Sequence, residues 1–184
     1  QRRTMTPNAK RLFIAVIAVQ IVFLLGLVGY RESILSLGRT AVLETVPVDP
    51  RDLFKGEYVT LRYEISTIGE GSLAPLKNQY FLEGEINEGD TVYVNLTNID
   101  SDVYRLFVQA DKPSPYADVY IKGRATQVRN GTVTIEYGIE QYFLPEGRGK
   151  EIETADDVKV RVSINRSGTA AIKELIVDGT VWRP

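Results

Sequence analysis

From Leu12 to Tyr30 the chain reads LFIAVIAVQIVFLLGLVGY, nineteen residues without a charge and with Gln20 as the one strongly polar side chain. A helix of that length rises about 28 Å, close to the hydrocarbon thickness of a bilayer. Being apolar on every side for five turns, it offers water no polar stripe and cannot be the surface helix of a soluble domain. A buried core helix would need a larger domain around it than this chain supplies. A cleaved leader is the competing reading, but a leader's apolar region stops at about 15 residues and ends in a small-x-small site. Here Arg31 and Glu32 follow the run at once, and Ser36-Leu37-Gly38 is the only passable cleavage site. The run therefore reads as a retained membrane anchor.

Arg2, Arg3, Lys10 and Arg11 precede the run, so the positive-inside rule places the N-terminus in the cytoplasm. The expected plan is a cytoplasmic tail over 1–11, a single membrane span over 12–30, a linker over 31–40 and an extracytoplasmic domain over 41–184. Gly26 and Gly29 are not spaced as GxxxG, so the span carries no strong self-association signal.

Charge divides the same way. The first 38 residues hold five cations against one acid, and the remainder holds 17 against 23. An acidic domain without a basic stripe is a poor nucleic-acid binder, because phosphate contacts need clustered Lys and Arg. The chain has no Cys and no His. That removes disulfides, thiolate and imidazole metal sites, and every catalytic triad that depends on either residue.

Beyond the anchor the pattern has period two, the mark of strands with one buried face. Val92, Val94 and Leu96 alternate with polar residues in Thr91–Thr97. Val133, Ile135 and Tyr137 do so in Thr132–Tyr137, and Val160, Val162 and Ile164 in Lys159–Asn165. Val103–Val108, Val119–Val128 and Ala170–Val177 are looser candidates. Asn130-Gly131 is a strong hairpin signal, because both residues tolerate φ > 0. Glu88-Gly89-Asp90, Arg166-Ser167-Gly168 and Asp178-Gly179 punctuate other strands. Helix signals are weak, with one turn expected over Leu73–Tyr80 and another over Lys150–Asp157. The fold class is thus mainly β: one N-terminal transmembrane helix followed by an antiparallel β-sandwich or small barrel-like domain.

The densest local pattern is Val46-Pro47-Val48-Asp49-Pro50-Arg51-Asp52-Leu53-Phe54-Lys55-Gly56-Glu57-Tyr58-Val59-Thr60-Leu61-Arg62-Tyr63. Pro47 and Pro50 fix φ, so Asp49 to Lys55 should be a turn or short 3₁₀ piece stopping at Gly56. A strand then begins, with Val59, Leu61, Tyr63 and Ile65 on one face and Tyr58, Thr60, Arg62 and Glu64 on the other. Either a bulge lies beside Tyr58 or its ring stands on the outer face. A second dense stretch is Tyr137-Gly138-Ile139-Glu140-Gln141-Tyr142-Phe143-Leu144-Pro145-Glu146-Gly147.

These two stretches, with the plan of anchor plus small outer domain, resemble the GDYXXLXY family of membrane-anchored proteins. The family is named for Gly-Asp-Tyr-x-x-Leu-x-Tyr. Here the motif stands as Gly56-Glu57-Tyr58-Val59-Thr60-Leu61-Arg62-Tyr63, with Glu57 in place of the Asp. The resemblance covers most of the chain and implies a prokaryotic envelope protein. It brings no catalytic residues with it.

Both stretches admit a structural and a functional reading. Structurally, Gly56 makes the turn, Leu61 and Tyr63 fill the core, Glu57 or Asp52 caps backbone amides, and Tyr137, Tyr142 and Phe143 seal an edge. Gly138, Pro145 and Gly147 would shape the second loop. Functionally, Asp49, Arg51, Asp52, Glu57, Tyr58 and Arg62 form a surface patch, and Glu140, Tyr142, Phe143 and Glu146 line an aromatic groove. Asp49, Asp52, Glu57, Asp100, Asp102, Asp156 and Asp157 show no Ca²⁺-loop spacing. Nothing in the sequence places two acids at the separation glycoside hydrolysis needs, and a Ser–Lys hydrolase would need a convergence for which the solvent-facing strand lysines are ill placed. No catalytic residue, metal or cofactor is therefore expected. The leading expectation is a non-catalytic accessory or interaction subunit, tethered to the bilayer and docking on a partner such as a multi-pass membrane protein. An envelope binding domain for a small molecule, glycan or metal is the first alternative, and a carboxylate-dependent hydrolase the second.

Overall fold

The computed structural model describes residues 7–46, 58–69, 80–83, 85–97, 105–109, 113, 117, 119–145 and 147–183. The chain falls into two units, one ending at Ser33 and the other beginning at Ile34.

Helix α1 spans Pro7–Leu37, opening with proline in the first turn, where its missing N–H has no helical acceptor to lose. Every side chain from Lys10 to Glu32 is exposed, an arrangement suited to lipid and not to water. By length and composition this is the one helix among the described residues able to cross a membrane. The helix runs past Tyr30 through most of the stretch expected to be a linker, and the first strand opens at Arg39. The reason lies in the second unit. Ile34 is buried there, and its carbonyl accepts from the Gly38 amide at 3.1 Å and the Ser163 hydroxyl at 2.6 Å. The Gly38 amide closes the last helical turn, and the Ser163 hydroxyl adds a tertiary donor to the same carbonyl at the helix end.

The second unit is mainly β. In chain order it holds β1 (Arg39–Glu44), β2 (Tyr58–Thr60), β3 (Thr67–Gly69), β4 (Tyr80–Glu83), β5 (Thr91–Thr97), β6 (Arg105–Gln109), β7 (Val119–Arg129), β8 (Thr132–Glu136), β9 (Gln141–Phe143), α2 (Gly149–Glu153), β10 (Val158–Ile164), β11 (Ala170–Val177) and β12 (Thr180–Trp182). One sheet runs β1-β10-β11-β12, a second β3-β8-β7-β5-β6-β4, and β2 and β9 make a two-stranded ribbon. All pairings are antiparallel except β4 with β6.

The period-two residues face one shared core. Val92, Val94, Leu96, Ile121, Val133 and Ile135 come from the six-stranded sheet; Leu43, Val160, Val162, Ile164 and Leu175 come from the four-stranded one. Each such side chain contributes roughly 1.5–3 kcal/mol on burial. A bulge in β7 between Ala125 and Gln127 and another in β11 at Lys173, opposite Arg161 and Val162 of β10, add local coiling, which bends flat sheets towards a half-barrel. The β10–β11 turn then bridges the two sheets, since the Lys122 amide donates to the Gly168 carbonyl at 2.9 Å. Asn130 and Gly131 join β7 to β8 with φ of 49° and 74°, the conformation that sequence pair favours.

The expected helical turn over Leu73–Tyr80 lies outside the described residues except at Tyr80, which opens β4. The turn expected over Lys150–Asp157 is α2, shorter and one residue earlier. The segment Asp49 to Lys55 lies outside the described residues.

Candidate functional site

The two dense motif stretches meet. Tyr58, Val59 and Thr60 pair with Phe143, Tyr142 and Gln141 in the β2–β9 ribbon, and the Leu61 amide donates to the Glu140 carbonyl at 2.7 Å. Arg62 then turns its carbonyl the other way, accepting from Val46 at 2.8 Å, and Tyr63 bridges to Thr45 beyond β1. The regular strand ends at Thr60, yet inside–outside alternation persists: Val59, Leu61, Tyr63 and Ile65 are buried. A 3₁₀ turn at Glu64–Ser66 comes next.

Two tyrosines lock the stretches together reciprocally. The Tyr63 hydroxyl donates to the Ile139 carbonyl at 2.5 Å, and the Tyr137 hydroxyl donates to the Ile65 carbonyl at 2.5 Å. Both rings are buried, so each carbonyl has its acceptor capacity met where water is excluded. Burial pushes the Tyr63 phenol well above the ordinary tyrosine range, and the Glu140 charge pushes it further. Glu140 itself accepts from the Tyr137 amide at 2.5 Å, bracing the turn in which Gly138 adopts φ of 78°. Gly123 on β7 makes the room for this. A Cβ there would strike the Ile135 side chain and lie 3.0 Å from both the Glu136 carbonyl and the Tyr137 ring.

The outer face of the ribbon is different. Tyr58 stands outward, its ring edge-on to Phe143 at 6.0 Å and 63°. Phe143 is 72% exposed, and with Leu37 and Val181 it makes up the exposed large hydrophobics of the second unit among the described residues.

Tyr142 faces the other way and meets Trp182 edge-on at 6.4 Å. Trp182 is capped by the Arg148 guanidinium, 5.3 Å from its ring centre. Glu151 ties the group together: it takes the Arg148 Nη2 at 2.9 Å and the Trp182 indole N–H at 3.0 Å. The Arg148 bond first, and the Trp182 bond second, hold the Glu151 carboxyl below its usual range. A carboxylate lowered on folding contributes stability above its unfolded pKa and loses it as pH falls through the folded one. Trp182 is the chain's single tryptophan, so its emission reports the clamp directly. Acid titration should give an emission step below the usual glutamate range, and Glu151→Gln should abolish it. A step that survives the substitution would place the titrating group elsewhere.

Of the residues anticipated from sequence, the fold brings together Tyr58, Glu140, Tyr142 and Phe143, and exposes the Arg62 side chain. Leu61, Tyr63 and Tyr137 are core, while Pro145 and Gly147 are exposed. Asp49, Arg51, Asp52, Glu57 and Glu146, with Pro47, Pro50 and Gly56, lie outside the described residues. Sequence reasoning missed Gly123 and the group of Trp182, Arg148 and Glu151. A lone tryptophan near the chain end was the available signal for the latter. Among the described residues no three acidic side chains gather as a metal site. The arrangement leaves the Tyr58–Phe143 pair on the outer face of a ribbon to which no further strand is added among the described residues.

A sequence model described as GDYXXLXY protein matches residues 20–175. No curated protein and no solved structure matches the chain.

Proposed function

The chain belongs to the GDYXXLXY family, and we propose that it is a non-catalytic accessory subunit, tethered by α1 and docking through its β-rich domain on a membrane-protein partner. The cations Lys10 and Arg11 ahead of the apolar run support a cytoplasmic N-terminus and an extracytoplasmic domain. The observation that carries the docking role is the outward Tyr58–Phe143 pair, with Phe143 72% exposed. Aromatic side chains that project from a rigid element and are not needed by the core are the usual anchors of protein interfaces.

The test is affinity purification of the full chain from native membranes in mild detergent, beside Phe143→Ser. The parent should retain a second protein. The variant should bind it about 30-fold more weakly, as expected when an anchor worth about 2 kcal/mol is lost. Its melting temperature should stay that of the parent, because exposed positions away from special features change stability by under about 0.5 kcal/mol. Recovery of the parent free of any other protein would defeat the reading. A C-terminal reporter that proved cytoplasmic would defeat the orientation.

A further inference from the structure

We infer that the free edge of β9 pairs, antiparallel, with β9 of a second copy of this chain. The inference is independent of the docking role, because it uses backbone groups rather than the outward rings.

The register defines the edge. Leu61 and Glu140 form a hydrogen-bonded pair, and with Tyr58 opposite Phe143 and Thr60 opposite Gln141 the ladder alternates. Val59 and Tyr142 therefore exchange bonds within the ribbon, while the N–H and C=O of Gln141 and Phe143 point away from β2. The same alternation accounts for Arg62 turning its carbonyl to Val46 on the far side of the ribbon. No strand pairs with the outer edge of β9 among the described residues. Gln141 and Phe143 are both exposed.

Free edges are ordinarily blunted by charge, by proline or by a covering element. Gln141-Tyr142-Phe143 carries no charge and no proline, so two such edges do not repel. The edge is also self-complementary. Rotating a second β9 about a two-fold axis at Tyr142 sets Gln141 opposite Phe143 of the second copy, and the reverse. Every outward N–H then meets an outward C=O, satisfying all the free groups of both edges at once. A closed two-fold contact of this kind uses one patch twice and cannot propagate into a fibre. The resulting four-stranded ribbon carries Tyr58 and Phe143 of both copies on one face, which doubles the aromatic surface.

The chain has no cysteine, so register can be read by disulfide formation in the full-length protein. Gln141→Cys and Phe143→Cys, carrying different tags, are expressed together in membranes and exposed to a mild oxidant. The proposed pairing puts these two positions about 5.5 Å apart at Cα, within disulfide reach. Like positions lie about 8 Å apart, beyond that reach. The mixed disulfide should form at least tenfold more than either same-position disulfide. Absence of the mixed product, or equal yields in all three combinations, would overturn the pairing. Gln141→Pro removes only an outward N–H and leaves the ribbon's own bonds intact. In detergent it should shift the protein from dimer to monomer while keeping the parent melting temperature. A dimer that persists in this variant would overturn the pairing as well. Crosslinking in register, with the parent chain retaining no second protein, would sink the docking role alone; the reverse would sink the dimer alone.

Discussion

Tyr63→Ala should lower the unfolding free energy by about 4 kcal/mol, as aromatic-to-alanine changes in a closed core do. That is a large part of the roughly 5–15 kcal/mol that typically holds a domain of this size. The ring is 1% exposed, and its hydroxyl supplies the donor for the Ile139 carbonyl. Tyr63→Phe keeps the ring and leaves that buried carbonyl unpaired, which costs roughly 1–3 kcal/mol. Tyr137→Phe does the same to the Ile65 carbonyl. Because both bonds join the same two segments, the double variant should depart from additivity by more than about 0.5 kcal/mol. Urea unfolding of the four proteins supplies the cycle. Additive losses would show that the two bonds act separately and that no reciprocal lock exists.

The same residue predicts a response to alkali. Its phenol is raised on folding by burial and by Glu140, so the folded state holds the proton that the unfolded state releases. The contribution is fully present below the unfolded value of about 10 and is lost as pH rises above it. Tyr63→Phe, which has no such proton, should lose stability less steeply above about pH 10 than the parent.

Gly123→Val should be comparably damaging, at about 3 kcal/mol or more, since overpacking a filled core forces side chains off their rotamers. The position is an ordinary β residue with no positive φ, so strain in the backbone is not the cause. A Cβ there is closed in by the Ile135 side chain, the Glu136 carbonyl and the Tyr137 ring. The Ile135 side chain is the nearest obstacle and the Tyr137 ring the next, and any shift of that ring draws its hydroxyl from the Ile65 carbonyl. Gly123→Ala should therefore already weaken the lock, and Gly123→Val in a Tyr137→Phe background should cost less than in the parent. Thermal or urea unfolding of these variants measures both effects. A Gly123→Val protein as stable as the parent would mean that the β7 surface is not closed by Tyr137.

The division between what could and could not be read from the chain tracks interaction range. The strands carrying Val92-Val94-Leu96 and Val160-Val162-Ile164 were legible because side-chain spacing alone decides which face is wet. Asn130-Gly131 was legible because φ > 0 is a property of those two residues. Alternation also set Tyr63 and Tyr137 on buried faces and Tyr58 opposite, but it could not name the carbonyls that the two buried hydroxyls meet. That lock depends on partners 72 and 76 residues away. Glu140 reads in sequence as a polar contact for a ligand; in the fold its carboxylate is occupied by the Tyr137 amide.

By itself the sequence determined the apolar helix and the mainly β character of the domain after it, because both rest on the periodicity of side chains along a local backbone. It also marked the two motif stretches, though not what they do to each other. Only the tertiary structure decided that the Ile34 carbonyl near the end of α1 takes the Ser163 hydroxyl, and that no strand among the described residues pairs with the outer edge of β9. Those outcomes depend on which distant groups exclude water from a given carbonyl or leave it exposed. That is set by chain packing across tens of residues, which no local pattern encodes.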